Sequence, residues 1–206
     1  YAGSDCVPVY MLFPELFEIS VIGEDSLRIQ ALARQPSALL PSMVNILESD
    51  REDRSIIFSS FPVDPAIFEE DVSVITPLLI EKHGLKEWKI VLITNEFHEH
   101  LGIYSILGAK MGLRAREYFH VGIDKLKINS FAGSSPPISC LNDGLQVSTG
   151  ATMGHGTISL SADDSDLRAR FRFKDRVIEI RIKENIREQI LADVGTGVMN
   201  YGFDST

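Results

Sequence analysis

Short apolar runs broken by Pro and Gly mark the start of the chain, helical spacing the middle, and strict alternation the last part. Val7–Phe13 and Phe17–Ile22 are apolar runs cut by Pro14 and closed by Gly23, which predicts two strands or a strand and a turn. Asp25-Ser26 can cap a helix through Gln35 carrying Leu27, Ala31 and Leu32. Ser37 can cap a second helix with Leu40, Met43, Val44 and Leu47 on one face. Ser55–Ser59 reads as a strand. Asp64-Pro65 and Thr76-Pro77 each look like a cap followed by Pro in the first helical turn, and Gly84 ends the region. No chemical constellation stands out before that glycine.

From Trp88 the texture changes. Ile90–Thr94 is a β-branched run leading straight into Asn95-Glu96-Phe97-His98-Glu99-His100, and a helix follows with Leu101, Ile103, Ile106, Leu107, Met111 and Leu113 as its apolar positions. Gly102, Ser105, Ala109 and Gly112 recur along it at three- and four-residue steps, a smooth row that lets the sheet or a second copy of this helix approach closely. Glycine inside a helix costs roughly 1 kcal/mol relative to Ala, so packing or function is expected to account for it. Next come a strand over Leu126–Phe131, a tight loop over Ala132–Pro137 and a helix from Ser139 to about Thr149 with Cys140 in its first turn. After the loop Gly150-Ala151-Thr152-Met153-Gly154-His155-Gly156 follow a strand over Thr157–Leu160, the acidic turn Asp163-Asp164-Ser165-Asp166, alternating strands Ala169–Phe173 and Val177–Ile182, and a helix over Asn185–Ala192. This order predicts an α+β fold, an antiparallel or mixed sheet packed by helices. The chain divides into an N-terminal α/β extension of unreadable function, residues 1–87, and a core domain, residues 88–206.

Composition narrows the partners. With 206 residues, 44% of them hydrophobic, the chain can bury an ordinary core without staples. Lys plus Arg number 20 against 29 Asp plus Glu, a formal charge of -9 that argues against nucleic acid. No apolar run approaches the ~20 residues that span a bilayer, so a soluble protein is expected. Cys6 and Cys140 show no Cys-x-x-Cys spacing, and two cysteines define neither a disulfide framework nor a compartment. The chain begins at Tyr1 without Met or an apolar leader, which leaves the compartment open between the cytoplasm and export after removal of a signal peptide.

The chemistry gathers at His98, His100 and Cys140. Neutral imidazole is the commonest protein ligand for zinc and similar ions, and a thiolate is its strongest soft companion. Residues two apart on a regular helix diverge by about 200°, so the two histidines converge only in a strand or at a helix entrance, where the pattern puts them. Cys140 at a helix start is expected to have a lowered thiol pKa from the helix dipole. His155 in the glycine loop is a less secure fourth member. Against these stand ordinary roles: a buried small hydrophobe for Cys140, a solvated loop residue for His155, first-turn capping for Asn142 and Asp143, and solvated element ends for His83 and His120.

Taken together, His98-Glu99-His100-Leu101-Gly102, then Gly108, then Ser139-Cys140-Leu141-Asn142-Asp143-Gly144-Leu145-Gln146, then Gly150-Ala151-Thr152-Met153-Gly154-His155-Gly156 resemble the core domain of the FmdE family of formylmethanofuran dehydrogenase proteins over about Trp88–Leu191. That family reads roughly His-Gly-His-Leu-Cys-Pro-Gly, a later Cys followed by Asp-x-x-Gln, and Thr-Gly-x-Thr-x-Gly-Lys-Gly. The resemblance implies an α+β core, a metal site using the paired histidines and the later cysteine, and homodimers. Gly102 stands where the family has its first cysteine and His155 where it has Lys, and the zinc finger appended in some members is absent.

Three functions follow. The first is a metal-binding enzyme or enzyme subunit acting on a small polar molecule, with zinc first and nickel or iron as alternatives, and with Glu96, Glu99 or Asp143 as candidate general base. The second is a binding module without catalysis, its ligand held by loops carrying Ser134, Ser135, Gly150, Thr152 and Gly154. The third is a metal-free dimer packed through Gly102, Ser105, Ala109 and Gly112.

Overall fold

A computed structural model describes residues 17–22, 61, 63–99, 102–161 and 165–194. The expected strand over Val7–Phe13, the two helices over 25–47 and the strand over 55–59 lie outside the described residues, as do Cys6, His100, Asp163 and Asp164.

Alternating sequence builds the sheet. Arg168–Phe173 (β4) and Arg176–Ile182 (β5) form a hairpin across the turn Lys174-Asp175, burying Ala169, Phe171, Ile178, Ile180 and Ile182 on one face and turning their charged neighbours to the other. Phe17–Ile22 (β1) pairs antiparallel with β5, Phe17 opposite Ile182 and Ile19 opposite Ile180. Lys127–Ser130 (β2) pairs antiparallel with β4 and parallel with Ile158–Leu160 (β3). The five strands lie in the order β1-β5-β4-β2-β3, the mixed sheet of an α+β fold.

Glu70–His98 (α1), Ile103–Phe119 (α2), Leu141–Thr149 (α3) and Glu184–Val194 (α4) complete the described elements. Tyr104, Leu107, Met111 and Ala115 of α2, Leu141 and Leu145 of α3 and Ile190 of α4 join the sheet's buried face in one apolar cluster. On its far side α2 contributes Ile106 and Ala109 to a second cluster with Leu79, Trp88 and Val91 of α1. The order is therefore sheet, then α2, then α1, with α3 packed against both helices.

Two expectations about α1 change. Thr76-Pro77 does not start a helix: Thr76 is buried and its hydroxyl donates to the Val72 carbonyl at 2.8 Å, inside a helix that began at Glu70. The only described cap of the expected kind in this region is Asp64, whose Oδ1 accepts from the Ala66 amide at 3.0 Å ahead of a short 3-10 turn over Pro65–Ile67. The β-branched run Ile90–Thr94 is helical, because Trp88, Val91, Thr94 and Asn95 form a buried stripe at helical spacing, and packing overrides the β preference. Gly84 does interrupt the region, with φ +81 and ψ 156 between two helical stretches.

The small-residue row of α2 packs within the chain. A Cβ on Gly108 would overlap the Leu141 carbonyl oxygen of α3, and one on Gly144 would overlap the Ser105 carbonyl and the Ala109 amide of α2. Gly112 faces Ser148 and Thr149 of α3, Ala109 is buried toward α1, and Arg116, fully buried, donates Nη1 to the Ser148 carbonyl at 3.0 Å. A dimer packed through Gly102, Ser105, Ala109 and Gly112 is thereby corrected: α1 and α3 already occupy that surface.

A polar cluster bridges α1 and α2. Lys110 Nζ reaches Glu87, and His83 Nδ1 lies 3.3 Å from Glu87 Oε1, with the His83 side chain 8% exposed rather than solvated as expected. His120 does cap α2 at the surface. Burial, and after it Lys110, holds His83 below the ordinary histidine value, with Glu87 opposing.

Two outcomes are expected. Gly144→Ala should destabilise the fold by about 3 kcal/mol in urea unfolding, since backbone atoms cannot yield to a methyl group. The folded chain binds a proton at His83 less readily than the unfolded chain, so stability is full above the ordinary value of 6.5 and declines as pH falls through it. His83→Gln should flatten that acid-side decline in urea midpoints measured from pH 7.5 to 5.5.

Candidate functional site

The end of α1 meets the start of α3. His98 is the last residue of α1, and Glu99 after it turns the chain out of the helix with φ 62. Asp143 lies in the first turn of α3. His98 Nδ1 donates to Asp143 Oδ2 at 2.7 Å, with the histidine side chain 9% exposed and the aspartate 30%. The sequence pattern puts His98 at the entrance of the helix that follows it. It closes the preceding one instead, and α2 opens only at Ile103 after an extended Gly102.

Gly102 fixes the ring from the other side. A Cβ there would lie 3.1 Å from His98 Cδ2, 3.2 Å from His98 Nε2 and 2.9 Å from Ser105 Oγ. The Nε2 edge of the imidazole therefore rests against the glycine, and any side chain at 102 would press on it. Ser105 completes the turn by donating Oγ to the Gly102 carbonyl at 2.8 Å.

Cys140 is a half-buried free thiol at the junction of a 3-10 turn, Ile138–Cys140, with α3. It stands three residues before Asp143, within reach of that carboxylate's field. Burial first, and Asp143 second, push the thiol up to about 11. The expectation of a lowered value is corrected: desolvation and a like-signed neighbour outweigh the dipole of a nine-residue helix. Tyr104, in the first turn of α2 and buried, belongs to the same neighbourhood. Its phenol is raised by burial, with Arg187 opposing and Cys140 adding to the shift. The sequence offered no sign of Tyr104, which reads there as one more apolar position.

Other candidates fall elsewhere. Asn142 does not cap α3 but donates Nδ2 to the Gly133 carbonyl at 2.9 Å, closing the loop that carries the exposed Ser134 and Ser135. Gly150 caps the opposite end of α3, and there His155, 62% exposed, lies 3.7 Å from Asp124 Oδ1. The nine residues of α3 thus separate His155 from Cys140 by about 13 Å of helix. The loop after Gly150 is closed on itself: the Thr152 amide donates to Thr157 Oγ1 at 3.1 Å, the His155 amide to Thr152 Oγ1 at 3.1 Å, and the Gly156 amide to the Met153 carbonyl at 2.9 Å. Gly154 is exposed beside them, so the two candidate ligand loops sit at opposite ends of one helix. Glu96 and Glu99 are exposed, which leaves Asp143 as the carboxylate brought onto a histidine. Among the described residues no group of three His, Cys, Asp or Glu is arranged to hold a metal, and none of the helices is long and apolar enough to cross a membrane.

A mixed sheet with a histidine–aspartate pair at one helix junction, and a cysteine one turn from the aspartate, defines an α+β domain with its polar centre between helices. Residues 97–196 match the family model described as FmdE, molybdenum formylmethanofuran dehydrogenase operon. No curated protein matches the chain.

The thiol can be checked directly. In chelator-treated protein, alkylation of Cys140 by iodoacetamide, followed on its own peptide by mass spectrometry, should rise with a midpoint near pH 11, as its pKa of about 11 requires. Asp143→Asn should move that midpoint downward, though not to the ordinary value, since burial remains.

Proposed function

We propose that this protein binds a divalent metal ion through His98, His100 and Cys140, and acts there on a small polar molecule as an enzyme or enzyme subunit. The observation that carries the reading is the 2.7 Å bond from His98 Nδ1 to Asp143. A metal-ligating histidine almost always donates its second nitrogen to a carboxylate or carbonyl, which fixes the tautomer and presents the other nitrogen. Here Nε2 is the nitrogen presented, on the Gly102 side. A soft thiol one turn before the same aspartate suits zinc first, with nickel or iron as alternatives.

Imidazole and thiolate are donor types that suit an ion of this kind. Asp143 orients the His98 ring, Gly102 holds its other edge, and Cys140 is half-buried and close in sequence to Asp143. Bound there, a divalent ion supplies Lewis acidity toward a carbonyl or a water molecule. Asp143 is committed to His98, so it serves as a positioning group before it serves as a base. His155 is left out of the ligand set because it lies at the other end of α3. The family description links the domain to a formylmethanofuran dehydrogenase operon, and we extend that association to this chain as part of the same reading.

A carrier or storage role without catalysis is the second reading, favoured by the self-closed loop at residues 152–157. Homodimers belong to either reading. Their contact would fall on the outer face of α1, where Val74, Leu78, Ile93 and Phe97 are exposed, since the small-residue row is buried within the chain.

Elemental analysis of purified protein is the test. One equivalent of metal in the wild type, lost in His98→Ala/Cys140→Ala and bound about 10- to 100-fold more weakly in Asp143→Asn, is the expected result. Equal metal content in the wild type and the double variant would overturn the proposal. At free zinc 100-fold above Kd, the metal should add about 2.7 kcal/mol to wild-type stability.

A further inference from the structure

The outward face of the sheet carries charge that neither the core nor the proposed site uses. β4 presents Arg168, Arg170 and Arg172 there, β5 presents Glu179 and Arg181, β2 presents Lys127 and β1 presents Glu18. Cations outnumber carboxylates on this face of a chain whose formal charge is -9. Glu179 lies among three guanidiniums: Arg170 Nε at 2.8 Å, Arg168 Nη1 at 3.3 Å and Arg181 Nη2 at 3.5 Å. Asp166 Oδ2 adds a second carboxylate, 2.8 Å from Arg168 Nε, so three guanidiniums against two carboxylates leave that group with a single net positive charge.

The register adds a second observation. Lys127 stands directly opposite Arg172, and Arg168 directly opposite Arg181. Like charges paired across a ladder destabilise a sheet; Glu179 bridges Arg168 and Arg181, so the cost falls on the Lys127–Arg172 pair. Stability does not account for such an arrangement. The helices that join the sheet's core cluster, α2, α3 and α4, lie on the other side. Arg170 and Arg181 are 46% and 47% exposed, and Lys127 and Arg172 are exposed as well.

We propose that this face docks an acidic segment of a partner protein. The Arg168 guanidinium lies 3.8 Å over the Phe131 ring and is held by Asp166 and Glu179, and that of Arg170, 46% exposed, lies 5.0 Å from the same ring, which orients Arg170 toward a carboxylate from outside. Nucleic acid fits less well. The overall negative charge repels a polyphosphate at long range, and Phe131 is buried beneath Arg168, leaving no described aromatic on this face to stack a base.

Fluorescence polarisation with a labelled oligoglutamate peptide and the full chain tests this, with an oligothymidylate of equal charge alongside. The wild type should bind the peptide in a salt-sensitive manner and bind it more tightly than the oligonucleotide. Arg172→Glu should weaken peptide binding about tenfold while melting at or above the wild-type temperature, because it turns a like-charge pair with Lys127 into an opposite one. Lys127→Gln should give the same signs with a smaller loss. Absence of peptide binding, undiminished binding by Arg172→Glu, or preference for the oligonucleotide would each overturn the proposal.

Discussion

Helices α2 and α3 touch backbone to backbone at Gly108 and Gly144, and the placement of the other parts follows from that contact. Side chains normally hold helix axes about 8–10 Å apart. Two glycines facing each other's peptide groups remove that spacer, so α3 sinks against α2 and its first turn reaches the end of α1. Asp143 immediately precedes Gly144, so seating the glycine against α2 also places the carboxylate. The 2.7 Å bond to His98 then ties α1 to the other two helices.

The same contact explains why the polar centre is protected. Tyr104 and Ser105 in the first turn of α2, Cys140 and Leu141 at the start of α3, and His98 at the end of α1 are drawn together where three helix termini meet. Peptide groups at helix ends lack intrahelical partners, so such a junction tolerates polar side chains that a helix middle would exclude. Burial there shapes the chemistry. Cys140 resists ionisation because it is desolvated beside a carboxylate, a balance that a bound cation would reverse.

The sheet has a divided role. Its inner face is apolar and supports α2, which separates the sheet from α1. Its outer face is polar and rich in arginine, with Glu179 drawing three of the guanidiniums together. Among the described residues, a sheet so arranged supports the centre from behind and turns charged side chains to its other face. The polar cluster of His83, Glu87 and Lys110 performs a related task between α1 and α2, joining them where Gly84 interrupts the first helix.

Much of this was legible in the sequence because it depends on local pattern. Alternation marked β4 and β5, helical spacing marked α2, and three ordered motifs marked the stretch that matches the FmdE model and the residues around His98 and Cys140. Where local preference and packing disagree, the pattern misled. Ile90–Thr94 is β-branched yet helical, because burial beside Trp88 and Val91 outweighs intrinsic preferences that for such residues are under about 1 kcal/mol each, and Thr76-Pro77 sits within a helix although an internal proline ordinarily costs about 3 kcal/mol. Which carboxylate meets His98, which side of α2 is covered and where His155 lies all depend on contacts between residues distant along the chain. The amino-acid order by itself determined the residue types available to a polar centre; only the close approach of α2 and α3 chose Asp143 from among them and left His155 at the far end.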